Sequence, residues 1–179
     1  AGQLRSRFQI AYANGIITTV TEAGGAVIET WDLPRAMLGA GPAAPVPAGS
    51  LMVGRNASLY ATRFDGGRGY GVTFRRIDPL FCVDLADPGD LRLLGELEVP
   101  GFSTYLEAFA DGSRLLSLGV EESRVAVSLF DVATPSAPTL KSRVHFGDNE
   151  HWSWSEGNYD DKAIGFFRSE GLLLFPLQQ

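Results

Sequence analysis

The chain has 179 residues, 45% of them hydrophobic, which suffices for one buried core and excludes a disordered chain. No apolar run approaches the ~20 residues of a membrane-spanning helix; Leu172-Leu173-Leu174-Phe175 is as long as any. A net charge of −6 with scattered basic residues argues against nucleic acid as a partner.

Twenty-one Gly and 10 Pro stand beside 11 Phe, 5 Tyr and 3 Trp, a balance that favours short strands over long helices. In chain order, Tyr12-Ala13-Asn14-Gly15 is an aromatic followed by hairpin-turn residues, and an apolar strand follows. Val27-Ile28-Glu29-Thr30-Trp31-Asp32-Leu33-Pro34 reads as a strand closed by a turn. Residues 34–50, PRAMLGAGPAAPVPAGS, read as an extended Ala/Pro/Gly loop where an outer strand is due. Phe64-Asp65-Gly66-Gly67 restarts the pattern, and Leu80-Phe81-Cys82-Val83-Asp84-Leu85-Ala86-Asp87-Pro88 closes it. The lone cysteine, Cys82, sits in that apolar run and is expected to be a buried, inert thiol. Phe109-Ala110-Asp111-Gly112 begins a third round, with strands predicted at 104–109, 114–120, 125–132 and 139–146. Tyr159-Asp160-Asp161-Lys162 begins a fourth, ending in a predicted strand over 171–177.

These rounds are one repeat. The segment from Leu80 to Pro88 matches Val127-Ser128-Leu129-Phe130-Asp131-Val132-Ala133-Thr134-Pro135 at a constant offset of 47 residues. The anchor aromatics Tyr12, Phe64, Phe109 and Tyr159 lie 52, 45 and 50 residues apart. A unit of that length holds about four short strands, which form a sheet unable to bury both faces alone. Stacking such sheets radially gives an all-β fold, the β-propeller, with about four blades of four antiparallel strands. A β-sandwich would not require so regular a period. The units run over about 1–50, 51–100, 101–147 and 148–179, within one propeller region covering 1–179. Stopping mid-unit, the chain reads as part of a larger propeller. Phe64, Phe74, Phe109, Phe130 and Cys82 are expected in the core.

Several segments resemble a family of secreted or surface-anchored prokaryotic β-propellers, the secreted β-propeller C-terminal type. They are Tyr70-Gly71-Val72-Thr73-Phe74-Arg75-Arg76-Ile77-Asp78-Pro79-Leu80-Phe81 and Leu94-Gly95-Glu96-Leu97-Glu98-Val99-Pro100-Gly101-Phe102-Ser103-Thr104-Tyr105-Leu106. Val127 to Val132, and Ser155-Glu156-Gly157-Asn158-Tyr159-Asp160-Asp161-Lys162-Ala163, add to them. The resemblance implies an extracellular or cell-surface location, further blades beyond this region and no catalytic residues to transfer. Asp161 stands where that family usually has His in a Tyr-Asp-His-Lys-Ala motif.

Common catalytic and nucleotide motifs are absent from the sequence, and Gly39-Ala40-Gly41-Pro42-Ala43-Ala44 is no dinucleotide loop because its prolines forbid the required helix. The densest polar cluster is His145, Asp148, Glu150, His151, Glu156, Asp160 and Asp161, interleaved with Trp152, Trp154 and Tyr159. It reads foremost as an acidic loop between blades. His145, Asp148, His151, Asp160 and Asp161 are the metal-ligand candidates, for calcium or another divalent cation, although no cofactor is expected. Trp152, Trp154 and Tyr159 are the ligand-stacking candidates, for a glycan. Asp32, Asp84 and Asp131 recur once per unit, which points to turn closure through backbone N–H groups.

Two functions follow. One is a non-enzymatic extracellular binding or scaffold module whose partners are the rest of a longer propeller or another chain at the open blade edges. The other is a polysaccharide hydrolase or lyase using channel carboxylates, for which Glu107 and Glu156 are the candidate pair.

Overall fold

The computed structural model describes residues 3–33, 46–74, 78–147 and 152–179. Three four-stranded antiparallel sheets follow one another, each with its strands in sequence order. The first is β1 (Ile10–Ala13), β2 (Ile16–Glu22), β3 (Ala26–Asp32) and β4 (Gly49–Val53). The second is β5 (Ser58–Asp65), β6 (Arg68–Phe74), β7 (Asp78–Asp84) and β8 (Arg92–Val99). The third is β9 (Phe102–Ala108), β10 (Arg114–Glu121), β11 (Arg124–Asp131) and β12 (Thr139–Phe146). A hairpin, β13 (Gly165–Phe167) with β14 (Leu172–Leu174), and a bridge from Trp154 to Gln178 represent the fourth. Single-turn 3₁₀ helices lie at Arg7–Gln9, Glu156–Asn158 and Asp161–Ala163. The fold is the all-β propeller arrangement expected from the repeat.

Turn chemistry sets the hairpins. Asn14 and Gly15 have φ of 52° and 83°, the doubly positive pair of a tight hairpin turn. Gly66 and Gly112 take φ of 56° and 64° at the equivalent turns. Beyond β7, Asp84 Oδ1 accepts from Ala86 N at 3.0 Å; beyond β11, Asp131 Oδ1 accepts from Ala133 N at 3.1 Å. The recurring Asp therefore closes a turn at both positions. Residues 34–45, just beyond Asp32 and Leu33, lie outside those described.

Side-chain alternation along each strand stacks the sheets. Phe81 and Val83 of β7 join Val20, Ile28 and Val53 of the first sheet, while Leu80 and Cys82 join Leu106, Leu115 and Phe130 of the third. On its far side the third sheet offers Leu118 and Val125, packed with Phe8, Ile164 and Phe175. Cys82 and Phe130 are buried as expected. Phe64 and Phe109 are only half-buried, contrary to expectation. Each stands beside a hairpin turn, where the sheet-to-sheet interface runs out; the Phe109 ring meets Phe166 edge-on at 5.2 Å. The side chain of Phe74 lies outside the described set.

The outer strand of the first sheet, due in the 34–50 stretch, is β4, which begins at the end of that stretch and sets Ile28 opposite Leu51 and Ala26 opposite Val53. Its apolar alternation begins only at Leu51, so the glycine and proline ahead of it masked the start. Residues 34–45 lie outside those described.

At the rim, successive sheets touch through backbone. A Cβ at Gly49 of β4 would collide with the Pro88 carbonyl, and a Cβ at Gly95 of β8 with that of Pro135. Thr30 Oγ1 donates to the same Pro88 oxygen at 2.5 Å. Pro88 and Pro135 thus each seat on the outer strand of the sheet before their own.

Candidate functional site

The inner strands β5 and β9 converge on one carboxylate. Glu107 of β9 is only 5% exposed and receives Arg63 of β5 on Oε2 and Arg168, from the β13–β14 turn, on Oε1. Tyr105 donates its hydroxyl to Glu107 Oε2 at 2.7 Å. Burial, and then Glu107 beside it, push the Tyr105 hydroxyl well above the usual phenol range. A buried carboxylate with two guanidinium partners is a tie between sheets. Sequence reading placed Glu107 near the axis; its partners, 44 residues before and 61 after, carry no local signal.

Glu156, the other candidate acid, is exposed at the start of the Glu156–Asn158 turn, which Ser155 caps by accepting from Gly157 N at 3.1 Å. It is not part of the Glu107 tie.

The metal-ligand candidates are separately engaged. His145 Nε2 meets Glu121 Oε2 at the edge of the third sheet, where Arg143 Nη1 also donates to that oxygen at 3.0 Å. Asp160 caps the Asp161–Ala163 turn, accepting from Lys162 N at 2.9 Å. Asp161 pairs with Arg7. Asp148, Glu150 and His151 lie outside the described residues, and among those described no three His, Cys, Asp or Glu side chains assemble a metal site. Of the stacking candidates, Trp154 and Tyr159 lie against each other at 5.9 Å and 21°, while Trp152 is exposed.

Tyr159 belongs to a cleft of about 470 Å³ between β5, β9 and the last segment. Both strands bulge there. Leu59 pairs with Thr73 and Ala61 with Val72, which leaves Tyr60 outside the register. Ser103 pairs with Gly119 and Tyr105 with Leu118, which leaves out Thr104. Phe8 lines the same cleft, its ring edge-on to Tyr105 at 5.8 Å and its carbonyl accepting from Thr62 Oγ1 at 2.7 Å. Sequence reading did not single out Tyr60, Thr104 or Phe8 for this region. A bulge is a matter of pairing register and is silent in one strand's own residues.

The profile of the Beta propeller domain family matches residues 48–179. The chain belongs to that family. An uncharacterized protein of Archaeoglobus fulgidus is 38% identical over 126 residues, covering 70% of this propeller chain and 20% of that protein. An uncharacterized protein of Methanocaldococcus jannaschii is 36% identical over 117 residues, covering 61% of this chain and 18% of its own. The chain therefore spans about a fifth of the length of these relatives. Among solved structures, the β-propeller domain of Myceliophteria thermophila Cps50 (Swd1) superposes with a TM-score of 0.60 at 13% identity, over 97% of this chain and 50% of that one. A Lactobacillus plantarum protein gives 0.55 at 15% identity, over 79% and 42%. At these identities the likeness shows the fold alone.

Proposed function

We propose that this chain is a non-enzymatic binding or scaffold segment of a longer β-propeller displayed outside the cell. The observation that carries the reading is the engagement of Glu107. A glycosidase needs a carboxyl free to give or take a proton at the sugar. Glu107 instead spends both oxygens on Arg63, Arg168 and Tyr105. The extracellular location rests on the family resemblance. The partner is the remainder of the propeller, an assignment supported by the open face of the first sheet. There Tyr12 is opposite Ile17, Ile17 is opposite Trp31, and Tyr12 is 68% exposed.

The test is a turnover assay against a panel of polysaccharides, reading reducing ends for hydrolysis and ultraviolet absorbance for lyase products. No product is expected. Turnover that disappears in both Glu107→Gln and Glu156→Gln would overturn the reading in favour of the polysaccharide-acting enzyme.

A further inference from the structure

We propose that the cleft between β5, β9 and the last segment is a binding site for a neutral sugar ring. This deepens the binding-module reading and rests on it. Its ~470 Å³ falls within the ~300–1,000 Å³ typical of small-ligand sites. The walls are aromatic. Tyr60 lies 5.3 Å from Phe102, ring to ring, and remains 43% exposed; Tyr159 is 76% exposed and is backed by Trp154. Two tyrosines left open to water, each steadied by a second ring, form a platform rather than part of the core.

The backbone is shaped for the same place. A bulge re-aims the side chain of its extra residue, and such bulges gather beside functional sites. Here two sheets each bulge once in the inner strand, at Tyr60 and at Thr104, and both residues line one cleft. Gly119 faces the second bulge, where a Cβ would strike the Phe102 carbonyl. That glycine permits the bulge.

The polar groups select the ligand class. Thr104 Oγ1 lies 2.9 Å from Asn158 Oδ1 and 3.3 Å from the Leu118 carbonyl, so the bulge holds a hydroxyl and an amide side by side in the lining. Asp161, at the rim, is neutralised by Arg7. Among the described residues, the lining has no lysine or arginine, and Arg7 beside it is already committed to Asp161, so a phosphate or carboxylate is poorly matched. The paired Asp161 likewise offers little to a quaternary ammonium. A pyranose matches what remains: a C–H face for the tyrosine rings, hydroxyls for Thr104 and Asn158, and no net charge.

The test is saturation-transfer NMR and calorimetry on the full chain. The probes are neutral disaccharides of glucose, galactose, mannose and N-acetylglucosamine, with tetramethylammonium and a proline-rich peptide as competitors. At least one disaccharide is expected to bind. Tyr60→Ala and Tyr159→Ala should each weaken it roughly tenfold, the loss of one stacking contact. Phe167→Ala, exposed on β13 outside the cleft, should leave it unchanged. Binding only of tetramethylammonium, only of the peptide, or of nothing would overturn the sugar site and leave the non-enzymatic reading standing. Binding accompanied by bond cleavage would overturn that reading and leave the site. Sugar binding indifferent to both tyrosine variants would also overturn the site.

Discussion

Trp31 stands in the first sheet where Phe130 stands in the third. Each immediately precedes the aspartate that ends its strand, Asp32 in β3 and Asp131 in β11, and each points away from the sheet that follows. Phe130 finds the second sheet there and is 0% exposed. Trp31 is half-buried, with its indole N–H on Thr19 Oγ1 at 3.2 Å. The difference is that the second sheet packs on the Phe130 face, whereas among the described residues no sheet packs on that of Trp31. Phe130→Ala is therefore expected to cost ~3–5 kcal/mol, and Trp31→Ala only ~1 kcal/mol. Urea unfolding of the two variants measures both; equal costs would refute the equivalence of their faces.

The Glu107 tie predicts an asymmetric pair of arginine variants. Arg63 is 18% exposed at its side chain and Arg168 45%. Arg63→Ala leaves a buried carboxylate short of its better-desolvated partner and should cost ~3 kcal/mol or more. Arg168→Ala, more open to solvent, should cost under ~1 kcal/mol. Thermal melts rank the two. The reverse order would mean that the tie to the hairpin turn, not the one between β5 and β9, dominates.

Acid should weaken the third sheet through Glu121. Burial would raise its pKa, but the His145 contact and the Arg143 guanidinium outweigh this and hold the carboxyl below its usual range. With a folded pKa below the unfolded one, Glu121 stabilises fully above the ordinary glutamate value of ~4.3. That contribution is lost as pH falls below this value and through the lower folded pKa. Comparing melting temperatures of the natural chain and Glu121→Gln from neutral to acid pH should show a gap that narrows in this window. A gap constant with pH would exclude the mechanism.

Cys82 should resist thiol reagents in the native state. Burial pushes its thiol up to about 11, so at pH 8 it is both protonated and inaccessible. Labelling with a disulfide reagent should proceed only as fast as the chain unfolds. Fast stoichiometric labelling of folded protein would place the cysteine at the surface.

Much of the architecture was legible because it is local and repeated. The four strands of the third sheet were predicted within two residues of their observed ends, from Asp-Gly turns and apolar alternation. Asp84 and Asp131 revealed their turn-closing role by recurring. β4 was not legible, since glycine and proline obscure its start. Phe64 and Phe109 are only half-buried because strand-end position, rather than residue type, sets their burial. At the candidate site the sequence showed Tyr159, Trp154 and Glu107, but the partners that define their roles come from other units. Arg63 reaches Glu107 across two sheets, and Thr104 reaches Asn158 from 54 residues away. Such pairings exist only once the sheets have stacked.

The contacts of Gly49 with Pro88 and of Gly95 with Pro135 set how closely successive sheets approach at their outer strands. Inner strands meet through side chains, whereas the rim closes to backbone distance because two glycines allow it. A methyl group at either glycine would force the two backbones apart at that point. The two positions therefore act as matched spacers, holding the first sheet to the second and the second to the third at the same backbone separation.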